Sequence, residues 1–576
     1  MKTKMGFAVI AVALLMLIYF FVPKSTEKSL DNTQKASFYS IKCTVAKFLL
    51  SDVDTTQQIA PLFDNLGNLN FTITTKEKLA QTFFNQGMKL TYAFNHAEAH
   101  RSFMEASRLD PNAAMTYWGQ AYALGPNIND PQPLDERKEK YNEAMAKAVK
   151  FASKASKKEQ ALIEALTHRY SEDFTKDVAE LNMAYMNAMT EVAQQFPNDA
   201  DVQILYAAAV MNTVPWNYWD KDGNPSPNIA EAKAALEKAI AINPENPGAH
   251  HYYIHMVELP MPDLAVKSAD KLGGLMPAAG HIVHMPSHIY IRVGRYLDAV
   301  KVNQAAILAD EDYISQCYSQ GMYPLGYYPH NIHFLWSAAT LLGDSEVAID
   351  AAKKTAEKVP EGELITLPFL QNFASVPLLA YVRFGKWNEI LTTPSPNAEI
   401  KHLKLIWHYA RGIAFIRKNN AKEAQEELDA IKKMIDEPEL ENLVAAGFDN
   451  SKTIGELAYE VVAGELAHLN GNLPKAIEHL KKAVELEDGL VYTEPAAWYI
   501  PVRQNLGAVL LRAEKYEEAE QIYKEDLEVL RQNGWSLMGL HQSLKAQGKM
   551  DEAETLKQEF DKAWEHADIS IDTSIL

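Results

Sequence analysis

One pattern of apolar and polar positions dominates the chain. From about residue 76 to the C-terminus, apolar residues recur at intervals of three and four, and no alternating apolar–polar stretch persists. This spacing gives each segment one apolar face at 3.6 residues per turn, which is typical of amphipathic α-helices. Residues 24–75 are instead polar, rich in Asn and Thr, and only weakly periodic. The pattern predicts an all-α protein, with residues 24–75 as a spacer before it.

The helical pattern contains a repeat. In its first copy, small or apolar residues and a final proline follow one another at offsets of 3, 9, 4, 3 and 5, at Gly87, Leu90, Ala99, Phe103, Ala106 and Pro111. Further copies include Ala232–Pro244, Gly464–Ala483, Gly507–Tyr523 and one around Ala553. Small residues stand where two antiparallel helices touch, so the chain resembles the tetratricopeptide repeat (TPR) superfamily over about residues 76–576. The resemblance implies a right-handed α-solenoid whose first helices line a concave groove.

The repeat copies and the breaks between them predict the domain organisation. Residues 213–228 interrupt the pattern with a loop rich in Trp, Pro and Gly, and long ordered loops often carry function. The predicted regions are an N-terminal TPR-like region at 76–228 that ends in this loop, a central histidine-rich region at 229–365, and C-terminal repeats at 366–576.

The N-terminus predicts a membrane anchor. Lys2 and Lys4 precede an uncharged run of seventeen residues, Gly6 to Val22, which Pro23 closes. The run ends in bulky residues rather than in the small residues of a cleavage site, which favours an uncleaved signal anchor at 1–23 over a removed signal peptide. By the positive-inside rule, the bulk of the chain is expected outside the cytoplasm, on the periplasmic side in a Gram-negative cell.

Charge and cysteine content exclude several classes of function. The net charge of −19 argues against nucleic acid as a partner, because phosphate binding needs clustered Lys and Arg. The chain has no phosphate-cradling glycine loop and no haem-attachment CxxCH motif, so neither a nucleotide nor a covalent haem is expected. Its two cysteines, Cys43 and Cys317, are expected to be unpaired thiols.

Histidine is concentrated in the central region. Eight of the seventeen histidines fall between residues 250 and 333, and most of them repeat at helical spacing. Residues three, four or seven apart share one helix face, whereas His250 points about 100° away from the face of its neighbours. Three successive first helices therefore present candidate metal ligands to one wall, and the candidates are His251, His255, Glu258, His281, His284, His288, His330 and His333.

The identity of the ion and the shape of the middle helix stay open at this stage. Imidazole and carboxylate ligands suit zinc, copper or iron, and their spacing does not choose among these metals. Pro286 either kinks the helix that carries His281, His284 and His288, or begins a new helix. In the second case the first two histidines would lie on the entering segment and could still converge with the third. The competing interpretation is that these histidines only pack and form hydrogen bonds.

A possible secondary site lies near the start of the repeat region. His96 and His100 are four residues apart, with Glu98 and Arg101 beside them. The alternative is that Asn95 and His96 simply cap the second helix of the first repeat.

The strings FNHAEAHRSF, HHYYIHMVE, GHIVHMPSHIYIRVGRY and YYPHNIHFLW are similar to strings in a largely uncharacterised group of exported bacterial TPR proteins. That resemblance implies export and a repeat fold, but it implies no activity. We therefore expect a membrane-anchored TPR protein that binds a ligand or protein partner in its groove and holds a histidine-rich metal site. The alternative is a metal-free scaffold for envelope proteins. A metal-dependent oxidase or hydrolase is a third hypothesis, so the sequence leaves open whether the chain is an enzyme.

Overall fold

Helix follows helix along the computed structural model, which describes residues 56–133, 135–316 and 323–576. The first half of the described chain contains α1 Lys78–Tyr92, α2 His96–Leu109, α3 Ala114–Leu124, α4 Asp135–Phe151, α5 Lys157–Thr167, α6 Val178–Gln195, α7 Ala200–Met211, α8 Ile229–Ile242, α9 Pro247–Val257, α10 Val266–Leu272, α11 Gly280–His284, α12 Pro286–Arg292 and α13 Tyr296–Gln316. The second half contains α14 Tyr328–Leu342, α15 Ser345–Glu357, α16 Leu370–Arg383, α17 Trp387–Thr392, α18 Lys401–Arg417, α19 Ala421–Ile435, α20 Pro438–Asn442, α21 Ser451–Leu469, α22 Leu473–Gly489, α23 Val502–Arg512, α24 Tyr516–Val529, α25 Gly534–Ala546 and α26 Met550–Ala563.

Short elements join some of these helices. A two-stranded antiparallel hairpin pairs β1 Val444–Ala446 with β2 Asp449–Asn450. The 3₁₀ turns are Ala152–Lys154, Pro262–Ala265 and Glu361–Glu363, and a π-helical turn at Tyr323–Tyr327 leads into α14. The prediction of an all-α fold is therefore confirmed for the described residues, where the sequence pattern did not predict the small hairpin.

Successive helices pack as antiparallel pairs through the small residues of the repeat. A Cβ atom on Gly87 of α1 would lie 2.5 Å from the ring of Phe103 on α2, and one on Gly464 of α21 would lie 2.8 Å from Cγ of Leu480 on α22. Only glycine lets the second helix approach so closely. These contacts join positions that the repeat pattern matched to one another, so the predicted pairing of helices is confirmed at both ends of the solenoid.

Distant turns of the solenoid touch one another. The Tyr296 hydroxyl on α13 donates to the carbonyl oxygen of Arg531 at 2.7 Å, and the Asn129 amide donates to the Tyr327 hydroxyl at 2.8 Å. Helix α9 also packs against α1. These contacts join the N-terminal region to the central region and the central region to the C-terminal repeats.

Residues 56–75, in the predicted spacer, pack onto the first helix pair. Phe71 is fully buried, and its backbone N–H donates to Oδ1 of Asn85 on α1 at 3.0 Å. The backbone N–H of Ile59 donates to the Glu105 carboxylate on α2 at 2.9 Å. Side chains of the helices thus satisfy the backbone of this non-helical segment.

Several predictions fall on residues outside the described part of the chain. They are the signal anchor at 1–23, the first part of the spacer, and the unpaired thiols of Cys43 and Cys317. None of the helices within the described ranges is long and apolar enough to cross a membrane.

Candidate metal centre

Helix α9 contributes the first candidate ligands. Asn246 caps the helix by accepting from the Gly248 N–H at 3.0 Å, and Pro247 occupies its first turn. The rings of His251 and His255 lie 4.9 Å apart on one buried face, and Glu258 follows directly after the last turn. His250 turns away, as predicted, and contacts the hydroxyl of Ser268 and the carbonyl oxygen of Pro244 at 2.9 Å each.

The middle segment resolves the question that Pro286 raised. Pro286 begins α12, and the preceding α11 carries His281 and His284. Met285, the residue between the two short helices, keeps right-handed helical angles, so the helical backbone continues from α11 into α12. Nε2 of His284 lies 3.0 Å from Nε2 of His288, and the rings of His281 and His284 lie 5.7 Å apart. A new helix thus begins at the proline, and all three imidazoles still converge.

The two histidines of α14 lie in different environments. The ring of His330 lies 5.0 Å from that of His284 and 5.9 Å from that of His288. His333 instead stacks on Trp336 at 5.2 Å and lies near Phe373. His330 therefore joins the other imidazoles, and the predicted ligand His333 lies apart from them.

A carboxylate that the sequence analysis did not single out completes the centre. Oε2 of Glu494 lies 3.0 Å from Nδ1 of His288, as does Oε2 of Glu258, and the latter oxygen is 3.5 Å from Nδ1 of His255. Glu494 lies in the segment 490–501 between α22 and α23. The only signal in the sequence was the string LVYTEPAAWYIP, a long aromatic, proline-containing break in the repeat.

These side chains form three overlapping groups, and within each group the candidate ligand atoms lie within 4.8 Å of one another. The groups are His251, His255 and His281; His255, Glu258 and His288, with Glu494 beside them; and His284, His288 and His330. Two ligand atoms that each lie about 2.1 Å from a common ion are separated by roughly 3.0–3.4 Å. The measured separations of 3.0 to 3.5 Å around His288 fall close to this range.

Hydrogen bonding does not account for the positions of several of these atoms. Oε2 of Glu258, Oε2 of Glu494 and Nδ1 of His288 are buried and lack a partner with hydrogen-bond geometry, although each carboxylate oxygen lies 3.0 Å from Nδ1 of His288. Both nitrogens of His255 and of His281 are also buried without a partner. Buried polar atoms are rarely left in this state, and a shared cation would satisfy them.

Neighbouring groups orient two of the imidazoles. Nδ1 of His251 lies 2.5 Å from the carbonyl oxygen of Tyr92, and Nδ1 of His284 lies 2.7 Å from Oδ1 of Asn303. Asn303 donates its amide to the carbonyl oxygen of Ala299, which identifies Oδ1 as the atom that faces His284. Both acceptors require a proton on Nδ1, so each ring presents the lone pair of Nε2 to the cluster. Outer-shell bonds of this kind fix ligand tautomers in metal sites.

Burial keeps most of the imidazoles neutral. It lowers the pKa of His251, His281, His284 and His330 well below the usual value, and neighbouring histidines add to the effect. His288 differs: burial opposes its charge, but the carboxylates of Glu258 and Glu494 outweigh burial and raise its pKa to about 9. The neutral form is the one that binds metals.

The centre opens into a cavity of about 670 Å³. His255, Glu258, His288 and Glu494 are among its lining residues. The loops at 125–130 and 213–228 both reach the cavity, and Trp216 packs edge-on against His255 at 5.2 Å. The other aromatic lining residues are Phe94, Tyr323, Tyr327, Phe369, Phe373, Phe448 and Tyr492.

The predicted secondary pair does not form a comparable group. Asn95 caps α2 by accepting from the Glu98 N–H, which agrees with the capping interpretation. His96 lines the cavity near Phe94, and neither of its nitrogens has a partner. Burial lowers the pKa of His96 to about 3 and that of His100 to about 4. Neither residue belongs to any of the three ligand groups among the described residues.

The fold and the site define a helical repeat protein with a buried cluster of histidines and carboxylates. Residues 457–532, from within α21 to just beyond α24, match the family described as tetratricopeptide repeat. This match confirms the predicted resemblance to the tetratricopeptide repeat over these residues. No curated protein matches the sequence.

Similar solved structures include a human IFIT1 dimer with m7Gppp-AAAA, at 13% identity and a TM-score of 0.31, with 78% of this chain and 90% of that chain covered. The yeast Tom70 structure has 14% identity and a TM-score of 0.27, with 84% and 90% covered. A chain of the APC/C hetero-tetramer Cut9-Hcn1 has 12% identity and a TM-score of 0.28, with 84% of this chain and 74% of that chain covered. Likenesses this distant carry no argument about ligands or partners.

Proposed function

We propose that this TPR protein binds a transition-metal ion through His255, Glu258, His288 and Glu494, and that its cavity takes a second ligand beside the ion. The observation that carries the proposal is the set of buried, unpartnered ligand atoms that meet around His288. Two imidazoles and two carboxylates are a ligand set for zinc, iron or copper. The carboxylates would balance the charge of a divalent ion in this buried place.

The second ligand is expected to be largely apolar. Aromatic rings form most of the cavity wall, and the one lining guanidinium, Arg137, donates to Asp130 and to the carbonyl oxygens of Leu124 and Gly125. That cation is therefore already paired. Phe448, at the turn of the β-hairpin, is half exposed and lines the cavity. A neutral aromatic probe such as 2-naphthol should bind in the cavity, and Phe448→Ala should weaken its binding. Calorimetric titration measures both affinities.

The metal proposal is tested on the full chain purified in detergent after growth with zinc, copper and iron. Elemental analysis should find bound metal in the wild type and a loss of metal in Glu258→Ala. His250→Ala is the matched control, because His250 lies on the same helix but outside the ligand groups. A wild-type protein without metal that also fails to bind added zinc or copper would favour the alternative, a metal-free scaffold that holds protein partners in its repeats.

A metal-dependent enzyme, oxidase or hydrolase, is a second candidate, and one observation favours it. The four ligands line the cavity, so a bound ion would meet a small molecule there and would keep an open coordination position. The metal-loaded chain should then consume dioxygen with a phenolic reductant or hydrolyse an activated ester. Either activity should disappear in Glu494→Gln.

We also propose that residues 1–23 anchor the protein in a membrane with the repeats outside the cytoplasm. The two lysines, the apolar run and the absence of a small-residue cleavage site support this placement. A C-terminal reporter enzyme that is active only outside the cytoplasm should be active in a bacterial host. A mature protein that begins beyond residue 23 would contradict an uncleaved anchor.

A further inference from the structure

His288, like His255, belongs to two of the ligand groups, and it faces its two groups with different ring nitrogens. Nδ1 of His288 lies 3.0 Å from the Glu258 and Glu494 carboxylates. Nε2 of the same ring lies 3.0 Å from Nε2 of His284. The two nitrogens of an imidazole point away from each other, so the groups lie on opposite edges of one ring.

The group on the Nε2 edge has the features of a second metal site. His284 presents a lone pair there, because Asn303 accepts the proton on its other nitrogen. His330 supplies a third imidazole, with its ring 5.0 Å from that of His284. Phe334 packs within 4.4 to 4.8 Å of all three rings and closes one side of the group. An apolar wall of this kind limits water access to a metal and strengthens its bonds.

We propose that the chain holds two metal ions that are bridged by the imidazole of His288. This inference rests on the proposed function. One ion is bound by His255, Glu258, His288 and Glu494, and the other by His284, His288 and His330. Metal–nitrogen bonds of about 2.1 Å on both edges of the ring place the ions about 6 Å apart.

The bridge has a definite proton balance. A neutral imidazole carries one N–H and a protonated one carries two. Both nitrogens must offer lone pairs to the two ions, so the last N–H proton leaves to solvent and the ring becomes an imidazolate. The positive charges of both ions stabilise this anion, just as a metal lowers the pKa of any group it binds.

Copper(II) alone is the probe for the test, since two copper ions joined by an imidazolate are magnetically coupled. The full chain in detergent is loaded with excess copper, freed of unbound ion, and examined by copper analysis and electron paramagnetic resonance. The expected wild-type result is a reduced signal per copper, with a half-field transition. His330→Ala should lose one copper per chain relative to wild type and give the full, uncoupled signal of the copper that remains.

His333→Ala is the matched control, because His333 lies three residues further along the same helix and outside the group. It should keep both the copper content and the coupling. Copper content that His330→Ala leaves unchanged, or a fully uncoupled signal in the wild type, would overturn the bridged centre while leaving the first metal site intact. A wild-type chain that binds no copper, zinc or iron would overturn both proposals. Circular dichroism of each variant verifies that it has folded.

Discussion

The carboxylate of Glu494 lies 3.0 Å from Nδ1 of His288, although one residue stands in a loop before α23 and the other on α12. Glu494 also accepts from the Tyr492 hydroxyl through its other oxygen, so the loop presents Oε2 to the histidines in a held position. The centre is therefore assembled from two distant parts of the solenoid. Metal binding should join these parts and stabilise the fold as a whole.

Glu494→Gln should weaken metal binding by at least about tenfold, because the amide keeps the size of the side chain but loses its charge and ligand strength. Competition with a chelator of known affinity measures this effect. Glu485→Gln, an exposed position on the neighbouring α22, serves as control. Equal affinities for the two variants would exclude Glu494 as a ligand.

Asn303 should act through the orientation of His284. Replacement by Leu removes the acceptor for the Nδ1 proton, which should weaken copper binding at the His330 group by about 10- to 100-fold. The lost partner should also lower the free energy of unfolding by about 1–3 kcal/mol. Asn303→Asp keeps an acceptor for this proton and should restore much of the affinity. If the Asn303→Leu and Asn303→Asp variants bind copper equally well, Asn303 does not orient His284.

Addition of zinc should raise the melting temperature of the full chain, because an ion that binds only the folded state stabilises it. At a free zinc concentration of about one hundred times the dissociation constant, the free energy of unfolding rises by about 2.7 kcal/mol. A chelator should reverse the rise, and Glu258→Ala should reduce it while His250→Ala should not. Calorimetric melting curves with and without zinc provide the measurement. No change in the wild type would contradict metal binding to the native fold.

Asp310 should make stability depend on pH. Burial raises its pKa to about 7, even though Tyr323 and Asn331 donate to its two oxygens at 2.7 Å each. The folded-state pKa lies above the unfolded one, so the native state binds the extra proton. Its stabilisation is present in full below about pH 4 and is lost as the pH rises through about 7.

Asp310→Asn imitates the protonated carboxyl group and should remove this loss of stability. The free energy of unfolding of the variant should exceed that of the wild type by about 2–4 kcal/mol at pH 8 and match it near pH 4. Denaturant unfolding at several pH values measures the difference. Asp312→Asn, an exposed neighbour, should follow wild type. A variant with the same pH dependence as wild type would show that Asp310 is ionised in the folded protein.

Gly87→Ala should destabilise the first helix pair. The added methyl group would lie 2.5 to 2.7 Å from three atoms of the Phe103 ring, which is itself fully buried and cannot move aside. Overpacking of this kind costs about 1–3 kcal/mol. Gly489→Ala is the control, since a Cβ there meets no atom within 4 Å. Similar melting temperatures for the two variants would contradict close packing at Gly87.

The sequence by itself determined the local structure and the helix faces. Helical spacing depends on residues three, four and seven apart, so it was sufficient to predict the TPR pairs, the contact of Gly87 with Phe103, and the common face of His251 and His255. It also showed that His250 points elsewhere. For His281, His284 and His288 it left two alternatives at Pro286, and both allowed the convergence that the structure displays.

Only the tertiary structure decided which of these faces meet. Contacts such as Glu494 with His288 and Tyr296 with Arg531 join different turns of the solenoid, and their positions depend on small rotations that accumulate from repeat to repeat. The spacing of residues within one helix gives no information about these accumulated rotations. For the same reason the sequence could not separate His330 from His333, which differ by about 60° around α14: one of them meets His284, and the other packs on Trp336.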